Sequence, residues 1–456
     1  LATTGQYGLS SADGFRPFDP GTQTGPTVVV PAAVLLRLFG PDPAVARLIV
    51  GLYAAVGAVA FALFARRLLG NWRLAALAVA LLLIGNPVDQ VHYLSLARQF
   101  LGETVGLGFF VLGAWLWLRA ADQPSTWGWV GAGLAWGLAA VTKSQALLLL
   151  GFSLPLVMGL ERLFIRRVSW GAYGVTLLTA VAVVGAWLGV QWALSGPVVF
   201  AENSRNLREG VTIHVLAIHP TNWARSVDVL VRTGWVLWGV GALVWAILTR
   251  PTGVGALDRL VGVAPVVAGA LWFTFLTIGW ERYAFYLVNL SWIWLAGWLG
   301  ALWTRPSGLR GVYRAGVVAV IATLVAAGLR PQVLTWVNPP DSGYGAMRAH
   351  LQATLPDDAV VETWEWEMTL GPGPAYLFPP YSALNTFTVR YFREGNFRPQ
   401  TDMMPARPRG AYVLVGKLGG WSGVYGAWIA GRAPIARYGD YALYDVRDIA
   451  VLTAAP

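Results

Sequence analysis

The sequence predicts an all-α polytopic membrane domain followed by a small outward α+β domain. Three observations lead there. The 456-residue chain is 56% hydrophobic and 12% charged, less charge than the surface of a soluble protein of this length requires. Ten apolar stretches recur along residues 46–329, most of them near the ~20 residues that cross a bilayer. Arginines gather at every second junction between those stretches.

Taken in order, residues 1–45 read as an outer loop. Its apolar piece at 27–39 is too short to span and reads as an interfacial helix. Asp19, in PFDPG, reads as a turn former. Spans are expected at 46–66, 72–87, 104–120, 126–142, 144–162, 170–195, 232–249, 258–279, 283–303 and 311–329. The second is short, and Lys143 separates the fourth and fifth in a tight hairpin. The pairs Trp115/Trp117, Trp127/Trp129, Trp235/Trp238 and Trp292/Trp294 read as interfacial belts. Gly and Ala within the spans read as close helix contacts.

Charge fixes the orientation. With Arg66, Arg67 and Arg73 in the cytoplasm, alternation puts Arg119, then Arg162, Arg166 and Arg167, then Arg250 and Arg259, then Arg305, Arg310 and Arg314 on the same side. Asp122, Glu161 and Asp258 oppose them. The other side carries mixed charge: Asp89, Arg98 and Glu103; Glu202, Arg205, Arg208 and Glu209; Glu281 and Arg282. This is the positive-inside pattern. The formal net charge of +10 is therefore topological and does not indicate a nucleic-acid partner. The expected location is the plasma (inner) membrane, as a multi-pass protein among membrane lipids. Ten spans put both ends outside, and the chain opens on Leu1 without a signal peptide. One further helix upstream, giving eleven spans in a longer protein, is the expectation.

Residues 330–456 change character. Pro339-Pro340, Pro379-Pro380 and many Gly punctuate short runs. Residues 343–355 read as a helix; 359–368, 411–416 and 441–446 read as strands of a four-stranded extracytoplasmic domain. In the 359–368 run, Glu362, Glu365 and Glu367 predict one buried and one solvated strand face.

With no cysteine in the chain, disulfides, thiol nucleophiles and Cys-based metal sites are excluded. His92, His214, His219 and His350 show no paired metal spacing, and no metal site is predicted. P-loop, GxGxxG and GxSxG patterns are absent. What remains is a set of ionisable and aromatic groups at outer helix mouths: Asp89, His92, Arg98 and Glu103 in VDQVHYLSLARQFLGET, Lys143 in AAVTKSQA, and Glu281, Arg282 and Tyr283 in GWERYAFY. Charge at membrane depth is expensive, so such a constellation suggests a site. Its mixed sign suits an anionic lipid headgroup beside a carboxylate. The plainer readings are that Lys143 snorkels, that Glu281 and Arg282 pair locally, that His92 is structural, and that Arg205 and Arg208 only solubilise their loop.

These residues resemble a family. TGPTVVVPAAVLLRLFGPDPAVARLIVGLYAAVGAVAFALFARRLLG (24–70) is similar to the first-loop-to-second-helix segment of the membrane-embedded GT-C glycosyltransferases, which include protein O-mannosyltransferases and lipid A aminoarabinose transferases. LARQFLGE (96–103), GLAWGLAAVTKSQALLLL (133–150), ERYAFYLV (281–288) and the outward domain with YALYDV (441–446) extend the resemblance. It implies a sugar donor carried on an outward-facing polyprenyl phosphate and an acceptor that is a protein, lipid or glycan. It implies a carboxylate base and cations on the leaving phosphate. It leaves a divalent metal undecided. On this resemblance Glu103 holds the second acidic position, and Lys143, Arg282 and Tyr283, with Arg98 and His92, lie near the donor phosphate. The principal acidic residue is expected upstream of Leu1. A lipid-linked-glycan transporter or flippase is the alternative; it would favour symmetric halves and broken helices, which the sequence does not display. A non-catalytic scaffold would not need Glu103, Lys143 and Arg282 to converge.

Overall fold

A computed structural model describes residues 1–456 except 2–4, 12–13, 21–23, 41, 166–168, 250–254, 306–307, 338–341, 357, 370–372, 395–402, 406 and 451–456. Arg166, Arg167, Arg250 and Pro339-Pro340 lie outside the described residues.

A hairpin opens the chain, β1 (Gly8–Ser11) antiparallel to β2 (Gly14–Pro17). Then come α1 (Pro26–Phe39), α2 (Pro43–Leu69), α3 (Trp72–Ile84), the short α4 (Tyr93–Ala97) and α5 (Glu103–Asp122). The helices α6 (Thr126–Thr142), α7 (Ser144–Leu160), α8 (Trp170–His214), α9 (Pro220–Arg232), α10 (Trp235–Leu248), α11 (Ala256–Leu276), α12 (Phe285–Thr304) and α13 (Arg310–Val337) follow. Every expected span is thus helical. Among the described residues, seven helices are long and apolar enough to cross a membrane, or eight if α9 and α10 count as one span bent by 84°. The remaining two of the ten expected spans are apolar helices shorter than 18 residues. The 72–87 stretch stops after 13 residues at Ile84, before Gly85, Asn86 and Pro87, and α6 has 17 residues.

The ends follow local chemistry. Proline at its first position and the Asp42 carboxylate on Ala44 N–H start α2, and Gly70 ends it with φ 67°, a conformation that glycine adopts freely. Ser125 caps α6. Two helices are broken: α8 at Gly196-Pro197, and the α9–α10 pair at Gly234, both glycines having positive φ. The sequence reading did not anticipate these breaks.

Small residues bring helices together. A Cβ on Gly57 of α2 would stand 3.2 Å from Gly108 Cα of α5, so the two backbones nearly touch. Gly133 of α6 lies as close to the Thr176 carbonyl of α8. Buried nearly all along its length, α12 forms the centre of the bundle. The tryptophans expected at the interface mostly sit in this core. Trp117, Trp235, Trp238, Trp292 and Trp294 are buried, and Trp238 stacks on Trp292 at 3.9 Å. Three of their ring N–H groups find internal acceptors, which eases deep burial: Trp235 donates to Ser291, Trp238 to the Thr233 carbonyl and Trp294 to the Gly262 carbonyl. Trp127, 83% exposed, fits the belt.

One end of the bundle is the arginine end. Arg67 at the end of α2 donates to Asp122 at the end of α5 and to Asp258 at the start of α11. Arg314 of α13 lies over Trp303 of α12. Glu161, expected to oppose the arginines, instead accepts from Tyr173.

Beyond α13, which runs to Val337, α14 (Tyr344–Thr354) leads to a sheet of five strands in the order β4-β3-β5-β7-β6. Strands β3 (Val360–Thr363), β4 (Ala375–Leu377) and β5 (Tyr412–Val415) are parallel; β7 (Tyr441–Asp445) is antiparallel to β5 and to β6 (Ala436–Tyr438). Helices α15 (Tyr381–Thr388), α16 (Lys417–Ser422) and α17 (Gly426–Ile429) cover it. The expected strand 359–368 ends at Thr363 and turns into a short helix, and β3 is buried on both faces rather than one.

That turn buries two carboxylates. Glu362 accepts from Arg409 and Gly410 N–H, and Glu365 from Gly416, Leu418 and Gly419 N–H. Burial pushes both groups above their ordinary value of 4.5, against the pull of those donors. A carboxyl whose folded pKa is raised contributes stability present below its unfolded pKa and lost as pH rises through the folded one. Hydrogen exchange of the β5–α16 amides, corrected for intrinsic rate, should therefore show protection falling as pH rises above 4.5. Glu365→Gln should flatten that fall.

Candidate functional site

At the end of the bundle opposite the arginines, three separate elements meet at Glu103. This residue opens α5 and is fully buried. Lys143 is the single residue between α6 and α7. Its backbone is extended, φ −153° and ψ 125°, so the chain breaks helix there. Its Nζ lies 3.1 Å from Glu103 Oε1. Arg282 comes from the turn Glu281–Ala284 that precedes α12. Its Nη2 and Nε stand 2.9 Å and 3.2 Å from that same Oε1. The guanidinium also rests over the Trp280 ring at 5.0 Å.

Two cations thus share one carboxylate oxygen. Glu103 Oε2, the Tyr286 hydroxyl and the Thr104 hydroxyl are buried without a hydrogen-bond partner among the described residues. Removing one member of such a buried pair costs ~3–5 kcal/mol because the other charge stays buried.

The surrounding backbone is shaped for this. A Cβ on Gly102 would come within 2.8 Å of the Thr142 carbonyl and 3.5 Å of Lys143 Cδ. On Gly106 it would come within 2.3 Å of the Tyr286 hydroxyl and 3.7 Å of Lys143 Cβ. These two bare positions admit the Lys143 stem and the Tyr286 ring. The outer loop seals the other side: Gly25 N–H donates to the Thr142 carbonyl, and the Thr27 and Thr142 hydroxyls bond at 2.6 Å. A side chain at Gly25 would run into the Val141 carbonyl.

The structure sorts the predicted residues. Glu103, Lys143 and Arg282 converge. Lys143, 4% exposed and ion-paired, does not snorkel. Glu281 and Arg282 do not pair with each other; Glu281 turns outward to Arg232 at 2.5 Å. Tyr283 is buried in the aromatic wall below Arg282, its ring 5.9 Å from Trp280 and 6.0 Å from Trp272. His92 stands outside the cluster. Its Nδ1 accepts from Ser95 N–H and caps α4, and burial lowers its pKa to about 4, with Arg98 adding to the fall. A neutral imidazole is no cation for a phosphate. Arg98 is exposed at the end of α4. Glu202 pairs with Arg16 at 3.3 Å on the outer part of α8, apart from Glu103. Asp19 is buried. No group of three His, Asp or Glu that could hold a metal occurs among the described residues.

Sequence reasoning missed Tyr286, Gly102 and Gly106. The signal was present: glycines four apart on one helix face, beside a charged residue. A Cβ at Gly106 should displace Tyr286 and cost ~1–3 kcal/mol by overpacking. In detergent, Gly106→Ala should melt lower than wild type. Gly159→Ala, whose Cβ meets nothing within 4 Å, should not.

Residues 24–187 match the family model described as dolichyl-phosphate-mannose-protein mannosyltransferase. The whole chain is similar in fold to ArnT from Cupriavidus metallidurans bound to undecaprenyl phosphate, with a TM-score of 0.58 and 15% identity over 94% of this chain and 89% of that one. The apo state of that ArnT gives a TM-score of 0.53 and 17% identity over the same shares. A comparison with curated protein sequences finds no match. The resemblance read from residues 24–70 is met by both comparisons: the family model matches residues 24–187, and the fold is similar to that of ArnT.

Proposed function

We propose that this GT-C glycosyltransferase takes its sugar from an outward-facing polyprenyl-phosphate carrier and passes it to an acceptor on the extracytoplasmic side. The observation that carries the reading is the convergence of two cations in one buried place: Lys143 and Arg282 share Glu103 Oε1. Both are donors that bind a phosphate headgroup through charge-assisted hydrogen bonds. Orientation is supported by the arginines. Arg66, Arg67 and Arg119 lie at the far ends of α2 and α5, and a helix of 20 residues puts them ~30 Å from Glu103. The positive-inside rule then turns the Glu103 end outward. The outer domain fits the same end: Asn385 of α15 bonds His214 at the outer tip of α8.

In the reaction, an acceptor hydroxyl oxygen attacks the anomeric carbon of the donor while its proton passes to a carboxylate acting as general base. The bond from that carbon to the phosphate oxygen breaks, and the phosphate leaves with the electron pair. Lys143 and Arg282 stabilise the charge that grows on it. Fork-shaped Arg282, stacked on Trp280, fixes the phosphate's direction, while Lys143 contributes a compact charge. Glu103 holds both cations in place and keeps Oε2 as a buried acceptor for a hydroxyl. A carboxylate that already faces two cations is a weak base, so ordering the cations is the larger part of its role. The Tyr286 hydroxyl, on the second residue of α12, is a second open polar atom for the donor. Tyr283 and Trp280 form the apolar floor under Arg282.

Transfer from a polyprenyl-phosphate sugar, measured with purified protein in detergent, should fall steeply in Glu103→Gln while the protein still folds. Unchanged turnover would remove Glu103 from the site. Arg282→Ala should weaken donor binding by ~2 kcal/mol or more, roughly 30-fold. Equal donor affinity in wild type and variant would return Arg282 to a purely structural role.

A further inference from the structure

A second polar cleft lies at the arginine end, a helix length from Glu103. It has a volume of about 550 Å³ and is lined by Leu63, Arg66, Arg67, Trp115, Asp122 and Asp258. Its groups divide sharply. Arg67 is satisfied by Asp122 and Asp258, and Asp258 also accepts from Gly255 N–H. Arg66, its neighbour in α2, is not: its Nε is buried and has no hydrogen-bond partner among the described residues. The Arg66 guanidinium lies 5.8 Å from the centre of the Trp72 ring, and Trp72 is 57% exposed. Arg119 lies in the same way over Trp115, a wall of the cleft. Tryptophan beside arginine at the end of a membrane helix marks headgroup depth, and basic pockets between helices at that depth take lipid headgroups.

We propose that this cleft binds the headgroup of a membrane phospholipid that carries an ammonium beside its phosphate. The phosphate meets Arg66, whose orphaned Nε–H lacks an anionic acceptor. The ammonium meets Asp122, whose side chain is 52% exposed and therefore open to a second cation besides Arg67. A purely anionic headgroup would be repelled by Asp122 and Asp258, so the mixed sign of the wall selects the zwitterion. The acyl chains leave past Leu63 along α2, whose outward residues Val56 and Val59 are exposed and apolar.

Native mass spectrometry of the full chain in detergent tests this, with phosphatidylethanolamine, phosphatidylglycerol and inorganic phosphate as separate probes. Wild type should retain phosphatidylethanolamine at least several-fold better than phosphatidylglycerol, and inorganic phosphate should not displace it. Arg66→Gln should lower retention about tenfold, and Arg73→Gln, at the same end but outside the cleft, should leave it unchanged. Leu63→Trp, which keeps Arg66 and fills the cleft, should lower it as well and decides the matter if Arg66→Gln does not fold. Equal retention of the two lipids, displacement by phosphate alone, or full retention in both Arg66→Gln and Leu63→Trp would overturn the proposal.

Discussion

One carboxylate oxygen organises the end of the bundle opposite the arginines. Glu103 Oε1 receives both Lys143 and Arg282, and those three residues come from the start of α5, the junction of α6 and α7, and the turn ahead of α12. Burying three charges is costly, and a membrane protein tolerates it where the charges serve a site. Everything around the oxygen follows from that constraint. Lys143 must interrupt a helix to reach it. Gly102 and Gly106 must lack side chains to let Lys143 and Tyr286 in. The loop at Gly25 must lack a side chain to lie against Val141 and Thr142.

The two ends of the bundle handle buried charge in opposite ways. At the arginine end, Arg67 faces two carboxylates and closes the gap between α2, α5 and α11. There two carboxylates converge on one cation. At the opposite end two cations converge on one carboxylate oxygen.

Much of this was legible in the sequence. Apolar length located the helices, and the alternation of arginines told one end from the other. Glu103, Lys143 and Arg282 stood out because each is an ionisable residue at a span mouth. Other features depend on packing that periodicity does not encode. Tyr286 sits in an apolar run and reads as core. Trp292 and Trp294 resemble belt residues until α12 is seen to be surrounded on all sides. Which of Glu281 and Arg282 faces inward is set by a tight turn that points neighbouring side chains in different directions. His92 is polar at a span mouth yet spends its Nδ1 on capping α4. The break of 359–368 after Thr363 follows from Glu365 finding three backbone donors at the start of α16, partners far along the chain.

The outer part of α8 carries a consequence for how such chains can vary in length. After the break at Gly196-Pro197 the helix continues to His214. Asn203 on it holds the carbonyls of Pro17 and Phe18, and His214 holds Asn385. A single inserted or deleted residue between those two contacts would rotate one about 100° around the axis relative to the other. The N-terminal hairpin and the C-terminal domain would then no longer be gripped from the same mast. Insertions and deletions in this segment should be tolerated only near whole numbers of turns.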